Sequence, residues 1–180
     1  MPAELTESEV TLLGLIAERP RHGFDLEKVI GERGMRQWTQ IGFSSIYYLL
    51  GKLEKRGLIE EVAAPSGGPG RARRVYAITP AGLAAAAERT AAFLAEPSAV
   101  AAPVLVGMAN WPLLPPVESV GALRRRSDAL SRKRAEVLAA RDAQQPLPDF
   151  VDAVFEYSLA MLEAEQNWVA RTLTSLERKR

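Results

Sequence analysis

Phe43–Ile59 reads FSSIYYLLGKLEKRGLI, and its pattern identifies the fold. Ile46, Leu49, Leu50 and Leu53 recur at i, i+3, i+4 and i+7, one apolar stripe of an α-helix. At about 100° per residue, Ser44, Tyr48, Lys52 and Lys55 point away from that stripe, and Tyr47 and Arg56 flank it. Gly57 is a natural residue to end the helix. A short helix with an apolar back and a Ser/Tyr/Lys front suits a DNA major groove, where hydroxyls and ammonium groups reach phosphates and base edges.

Two helices are expected before it. Thr6 and Glu9 form a capping box, in which the threonine oxygen accepts from a backbone N–H three residues on and the glutamate reaches back. Leu12, Leu13 and Ile16 give this first helix its apolar face, and Pro20 ends it. His22–Gly23 opens a second helix with Phe24, Leu26, Val29 and Ile30 as apolar positions. After Gly57, IEEVAA and RARRVYAI flank the turn PSGGPG, two β-prone runs that read as a hairpin. Arg71, Arg73 and Arg74 lie on the turn and return strand, with no acid between Val62 and Tyr76. Thr79–Pro80 is a capping residue followed by proline at the first helical position, and AGLAAAAERTAAFL continues as a fourth helix.

Three helices and a basic hairpin in that order describe a winged helix-turn-helix, within a mainly α chain. The expected DNA contacts are Ser44, Ser45, Tyr47, Tyr48, Lys52 and Lys55 of the third helix and Arg71, Arg73 and Arg74 of the wing. Arginines beside a glycine-rich turn suit a narrow minor groove. At these residues the chain resembles the PadR family of regulators. LTESEVTLLGLIAERPRHGFDL is similar to that family's first two helices, SSIYYLLGKLEKRGLI to its recognition helix, and RRVYAITPAG to its return strand and next helix. The resemblance spans roughly residues 5 to 95. The chain departs from the family's usual residues at Tyr48, often proline, and Phe24, more usually tyrosine.

The composition changes at PSAVAAP, residues 97–103, so the domains are set at 1–96 and 97–180. VLVGMANW is a short apolar segment that Pro112, Pro115 and Pro116 separate from the next helix. That helix is charged and expected from Val117 to Ala143, with Val120, Leu123, Leu130 and Val137 as its seam and solvated basic clusters at 124–126 and 132–134. QQPLP turns the chain into a second long helix from Asp149, whose apolar face is wide. Such an antiparallel hairpin leaves apolar surface uncovered, and a second copy is the simplest cover. The resemblance implies the same homodimer. Trp111, Trp168 and Phe155 are candidates for contact with a small aromatic effector, against a plain role in the core.

The remaining classes fare poorly. The 180 residues include no cysteine and one histidine, which leaves little for a thiolate metal site, a histidine zinc site or a catalytic triad. GGPGRAR lacks the P-loop pattern. No enzyme, cofactor or metal is expected. No apolar run approaches the ~18 residues that span a membrane, and MPAELTESEV lacks a signal-peptide pattern, so a cytoplasmic chain is expected. The expected function is a repressor that binds a palindromic operator in double-stranded DNA as a homodimer and is released by an effector. Net charge of only +1 keeps an alternative open, a winged-helix protein-interaction module without sequence-specific DNA binding.

Overall fold

The computed structural model describes residues 4–37, 39, 41–63, 74–97 and 103–178. The chain divides into two compact units, Met1–Ala99 and Val100–Arg180.

The first unit begins with α1 (Glu7–Glu18), which carries the capping box: Thr6 Oγ1 accepts from the Glu9 amide, and Glu9 Oε2 accepts from the Thr6 amide at 2.8 Å. A two-residue strand, β1 (Arg21–His22), leads into α2 (Gly23–Glu32). His22 caps α2: Nδ1 accepts from the Asp25 amide, and Nε2 lies 3.2 Å from the Asp25 carboxylate. A one-turn 3-10 helix, Met35–Gln37, precedes α3 (Phe43–Lys55). Then come β2 (Ile59–Val62), β3 (Val75–Ile78) and α4 (Pro80–Ala95). Arg56 caps α3, and Gly57 is next at φ 68°, the left-handed conformation glycine adopts without a Cβ penalty.

The sheet is three-stranded, where the sequence suggested a two-stranded wing. Its order is β1-β3-β2, all antiparallel, with Arg21 opposite Tyr76 and Glu61 also opposite Tyr76 on the other side. The extra strand arises from Pro20, which stops α1 and leaves the next two residues extended beside β3.

The expected stripe of α3 is the centre of the core. Ile46, Leu49, Leu50 and Leu53 are buried against Leu12, Leu13 and Ile16 of α1, Leu26 and Ile30 of α2, and Ile59. The corner after α3 is tight. Thr79 Oγ1 donates to the Gly57 carbonyl and accepts from the Gly82 amide, and the Thr79 amide donates to the Leu58 carbonyl. Gly82 sits where a Cβ would overlap that carbonyl oxygen, so α4 starts directly against the chain leaving α3.

The second unit holds α5 (Pro103–Ala109), a 3-10 turn Trp111–Leu113, and the long helices α6 (Pro116–Ala143) and α7 (Asp149–Glu177). α6 and α7 pack along each other. Val120, Leu123, Leu130 and Val137, the expected seam, are all buried. Arg124, Arg125, Arg132 and Arg134 of the basic clusters on α6 are exposed, as expected of a solvated face, and two arginines also reach acids of α7: Arg124 pairs with Glu177 and Arg126 with Glu165. Arg141 holds Asp152 bidentately at 2.7 Å, which keeps that carboxyl below its ordinary pKa.

Candidate nucleic-acid interface

The residues expected to face DNA sort into three groups. Ser44, Tyr47, Tyr48 and Lys55 are exposed, Tyr48 by 72%. Ser45 is half-buried, with its hydroxyl turned toward Gly42. Arg71 and Arg73 lie outside the described residues.

Lys52 and Arg74 are positioned otherwise than their place in the sequence suggested. Lys52 does not simply extend from the front of α3. Its ammonium lies 2.9 Å from Glu9 Oε1, back on α1. Arg56 reaches the same oxygen at 3.5 Å. Arg74 lies over the Tyr76 ring, 5.3 Å from its centroid, and bridges Glu54 of α3 and Glu61 of β2. The physical reason is the same in both cases: a cation in the chain takes a preorganised carboxylate within reach.

Glu9 is the residue that sequence reasoning saw only in part. Its side chain is fully buried, yet it is a carboxylate. Burial pushes its pKa up, but the Thr6 amide, Lys52 and the Thr6 hydroxyl more than offset this, and the carboxyl stays below its ordinary value of 4.5. The signal in the sequence was Lys52 and Arg56, four residues apart at the end of α3, with Arg56 flanking its apolar stripe.

The front of α3 adjoins the start of α2. Gly23 accommodates Tyr47: a Cβ there would lie 2.6 Å from Tyr47 Cε1. Together His22, Gly23, Phe24, Tyr47, Arg74 and Tyr76 line an open cleft of about 320 Å³. Phe24 is 55% exposed, so an apolar ring lies next to the hydroxyl-rich helix front. The N-cap of α3 is Gly42, which has no side chain to accept from the first turn, and the Ser45 amide donates to the Gly42 carbonyl.

In the second unit, Trp111 and Trp168 both pack against the cluster of Leu123, Leu130 and Val169. Phe155 is half-buried on α7 outside that cluster. A shallow cleft of about 480 Å³ on the same unit is lined by Leu114, Val117, Glu118, Gly121, Ala122 and Arg125, and none of the three aromatics contributes to it. Among the described residues no group of histidine and acidic side chains could hold a metal, and no helix is long and apolar enough to cross a membrane.

A buried helix presenting its polar front beside a small antiparallel sheet, in the order α1-β1-α2-α3-β2-β3, defines a winged helix-turn-helix domain. Residues 12–88 match the family model of the transcriptional regulator PadR-like family, and the unit is a PadR-like domain. Members of that family are transcriptional regulators, not enzymes. Among solved structures, the chain is similar to Bacillus subtilis PadR in complex with operator DNA. The identity there is 17% and the TM-score 0.77, over 95% of this chain and 99% of that one. It is similar to the same protein in complex with p-coumaric acid at 18% and 0.74, over 94% and 98%. It is also similar to a PadR-like transcriptional regulator from Bacillus cereus at 18% and 0.68, over 97% and 100%. At these identities the likeness establishes the fold. No curated protein matches the sequence.

Proposed function

We propose that the chain is a transcriptional repressor that binds a palindromic operator as a homodimer. The observation that carries this is the exposed front of α3, with Ser44, Tyr47, Tyr48 and Lys55 outside the buried stripe of a PadR-like winged helix. In this reading α3 is the recognition helix. Ser44, Ser45, Tyr47 and Tyr48 read base edges and nearby phosphates, and the N-terminus of α3 with its glycine cap favours a phosphate. Lys55 with Arg71 and Arg73 of the expected wing holds the backbone, and Arg74 joins them only by exchanging Glu54 and Glu61 for a phosphate.

A second copy is supported by α7. Phe150, Val154, Tyr157 and Met161 recur at i, i+4, i+7 and i+11 and are all exposed, one uncovered apolar stripe. A two-fold dimer imposes its symmetry on the operator. Bacillus subtilis PadR has a structure with p-coumaric acid, and by likeness a small aromatic effector is the proposed release signal, with Trp111, Trp168 and Phe155 as its contacts. Such an effector must bind two dimer geometries with different affinity to act at all.

The internal pairing of Lys52 and Arg74 favours one other reading, a winged helix that works through protein contacts. Fluorescence anisotropy across a salt series separates the two. With about three phosphate contacts per subunit, the dimer's log K falls against log salt with a slope of about −5. A chain that ignores DNA at low salt takes the protein-interaction reading instead.

A further inference from the structure

Glu9 sits 43 residues before Lys52 in sequence and touches it in space, which ties the start of α1 to the C-terminal half of α3. Its two oxygens are divided. Oε2 accepts from the Thr6 amide, and Oε1 faces Lys52 and Arg56. The carboxylate therefore cannot turn without giving up either the helix cap or the cations. It is fully buried, so losing its partners would leave an uncompensated charge, a strongly unfavourable state.

We propose that Glu9 is a positioning residue for the recognition helix: it fixes the rotation of α3 through Lys52 and Arg56 and keeps both from acting as phosphate contacts. The proposal rests on the DNA-binding reading above and refines it, because Lys52 becomes a strut where the sequence suggested a DNA contact. Ser44, Tyr47 and Tyr48 lie one to two turns earlier on the same helix. A side-chain tip lies about 6 Å from the helix axis, so about 10° of rotation moves it by about 1 Å. That is enough to spoil a hydrogen bond to a base edge. Phosphate attraction is far less sensitive to such a shift, so Glu9 governs sequence preference more than raw affinity.

The test uses the full chain with Glu9→Gln and Lys52→Met, measured by anisotropy on operator and scrambled DNA across a salt series, beside circular dichroism melting. In Glu9→Gln the amide oxygen still accepts from Thr6, while Lys52 and Arg56 lose their countercharge. Its operator-to-scrambled affinity ratio falls about tenfold, the loss of a base contact, and its salt slope steepens by about 1–2 units per subunit as the released cations find phosphates. Lys52→Met lowers the ratio and leaves the slope at the parent value, and it reads the proposal even if Glu9→Gln does not fold. A flatter slope in Lys52→Met makes Lys52 a phosphate contact and overturns the proposal. So does a folded Glu9→Gln whose ratio and slope match the parent. A parent chain that binds no DNA at any salt overturns the underlying DNA reading, a distinct result.

Discussion

Gly82→Ala is expected to destabilise the winged-helix unit although it adds one methyl group to a helix. On propensity alone the change is favourable by about 1 kcal/mol, because glycine is the poorer helix former. The surroundings decide otherwise. A Cβ at Gly82 would overlap the Leu58 carbonyl oxygen, lie 2.8 Å from its carbon and lie 3.0 Å from Ile78 Cγ1. The obstacle is backbone, so it cannot rotate away. α4 must back off, which breaks the Thr79 amide bond to that same carbonyl and disturbs the Thr79 cap. Overpacking costs about 1–3 kcal/mol, and a lost hydrogen bond adds about 1 kcal/mol. After the propensity gain, the net is about 1–3 kcal/mol of destabilisation, read from the midpoint of urea unfolding. Gly51→Ala is the control: nothing lies within 4 Å of its Cβ, on the interior of α3. It is expected to stabilise by about 0.5–1 kcal/mol. A Gly82→Ala protein as stable as Gly51→Ala would show that the corner has room to spare.

Acidification provides a second prediction. Glu9 and Glu18 both have folded pKa values held below 4.5, Glu18 chiefly by Arg33. Their stabilisation is complete above the ordinary glutamate range and is lost as pH falls through the lowered folded values, so the melting temperature drops below about pH 4.5. Glu9→Gln flattens that drop; an unchanged acid limb would show that Glu9 is not held as described. Third, Leu50→Ala opens a cavity beneath α3 and costs about 2–5 kcal/mol, whereas Tyr48→Ala weakens operator binding with little change in melting; gel shift beside melting separates them. Fourth, Tyr157→Glu with Met161→Glu on the exposed stripe of α7 yields monomers by light scattering, while the parent chain runs as a dimer. A monomeric parent at micromolar concentration ends the dimer proposal.

What was legible in the sequence is what is local. The stripe of α3, the capping box at Thr6 and Glu9, the stop at Gly57 and the Thr79–Pro80 start of α4 are each contained within a few residues, and each is present in the structure. β1 escaped notice because two residues are too few to show alternation; only the partner strand β3 makes them a strand. The fates of Lys52 and Arg74 were also nonlocal. The absence of acids between Val62 and Tyr76 is correct, yet Glu61 faces Arg74 across the hairpin and Glu54 approaches from α3. Counting charge along the chain showed where positive residues lie. It could not show which of them the fold pairs with its own acids, since those acids are brought close only by the sheet register and by the packing of α1 on α3.

If the front of α3 reads a specific DNA sequence in a symmetric arrangement, the purified full chain must select that sequence from a mixture. The decisive measurement is sequencing of the fragments it retains from a random or genomic pool at about physiological salt. Enrichment of one two-fold symmetric site is expected, with half-site centres about 10 bp apart or a multiple of it. Recovery of fragments without a shared sequence, or of a single asymmetric half-site, would contradict the assignment of α3 as a symmetric reader of DNA.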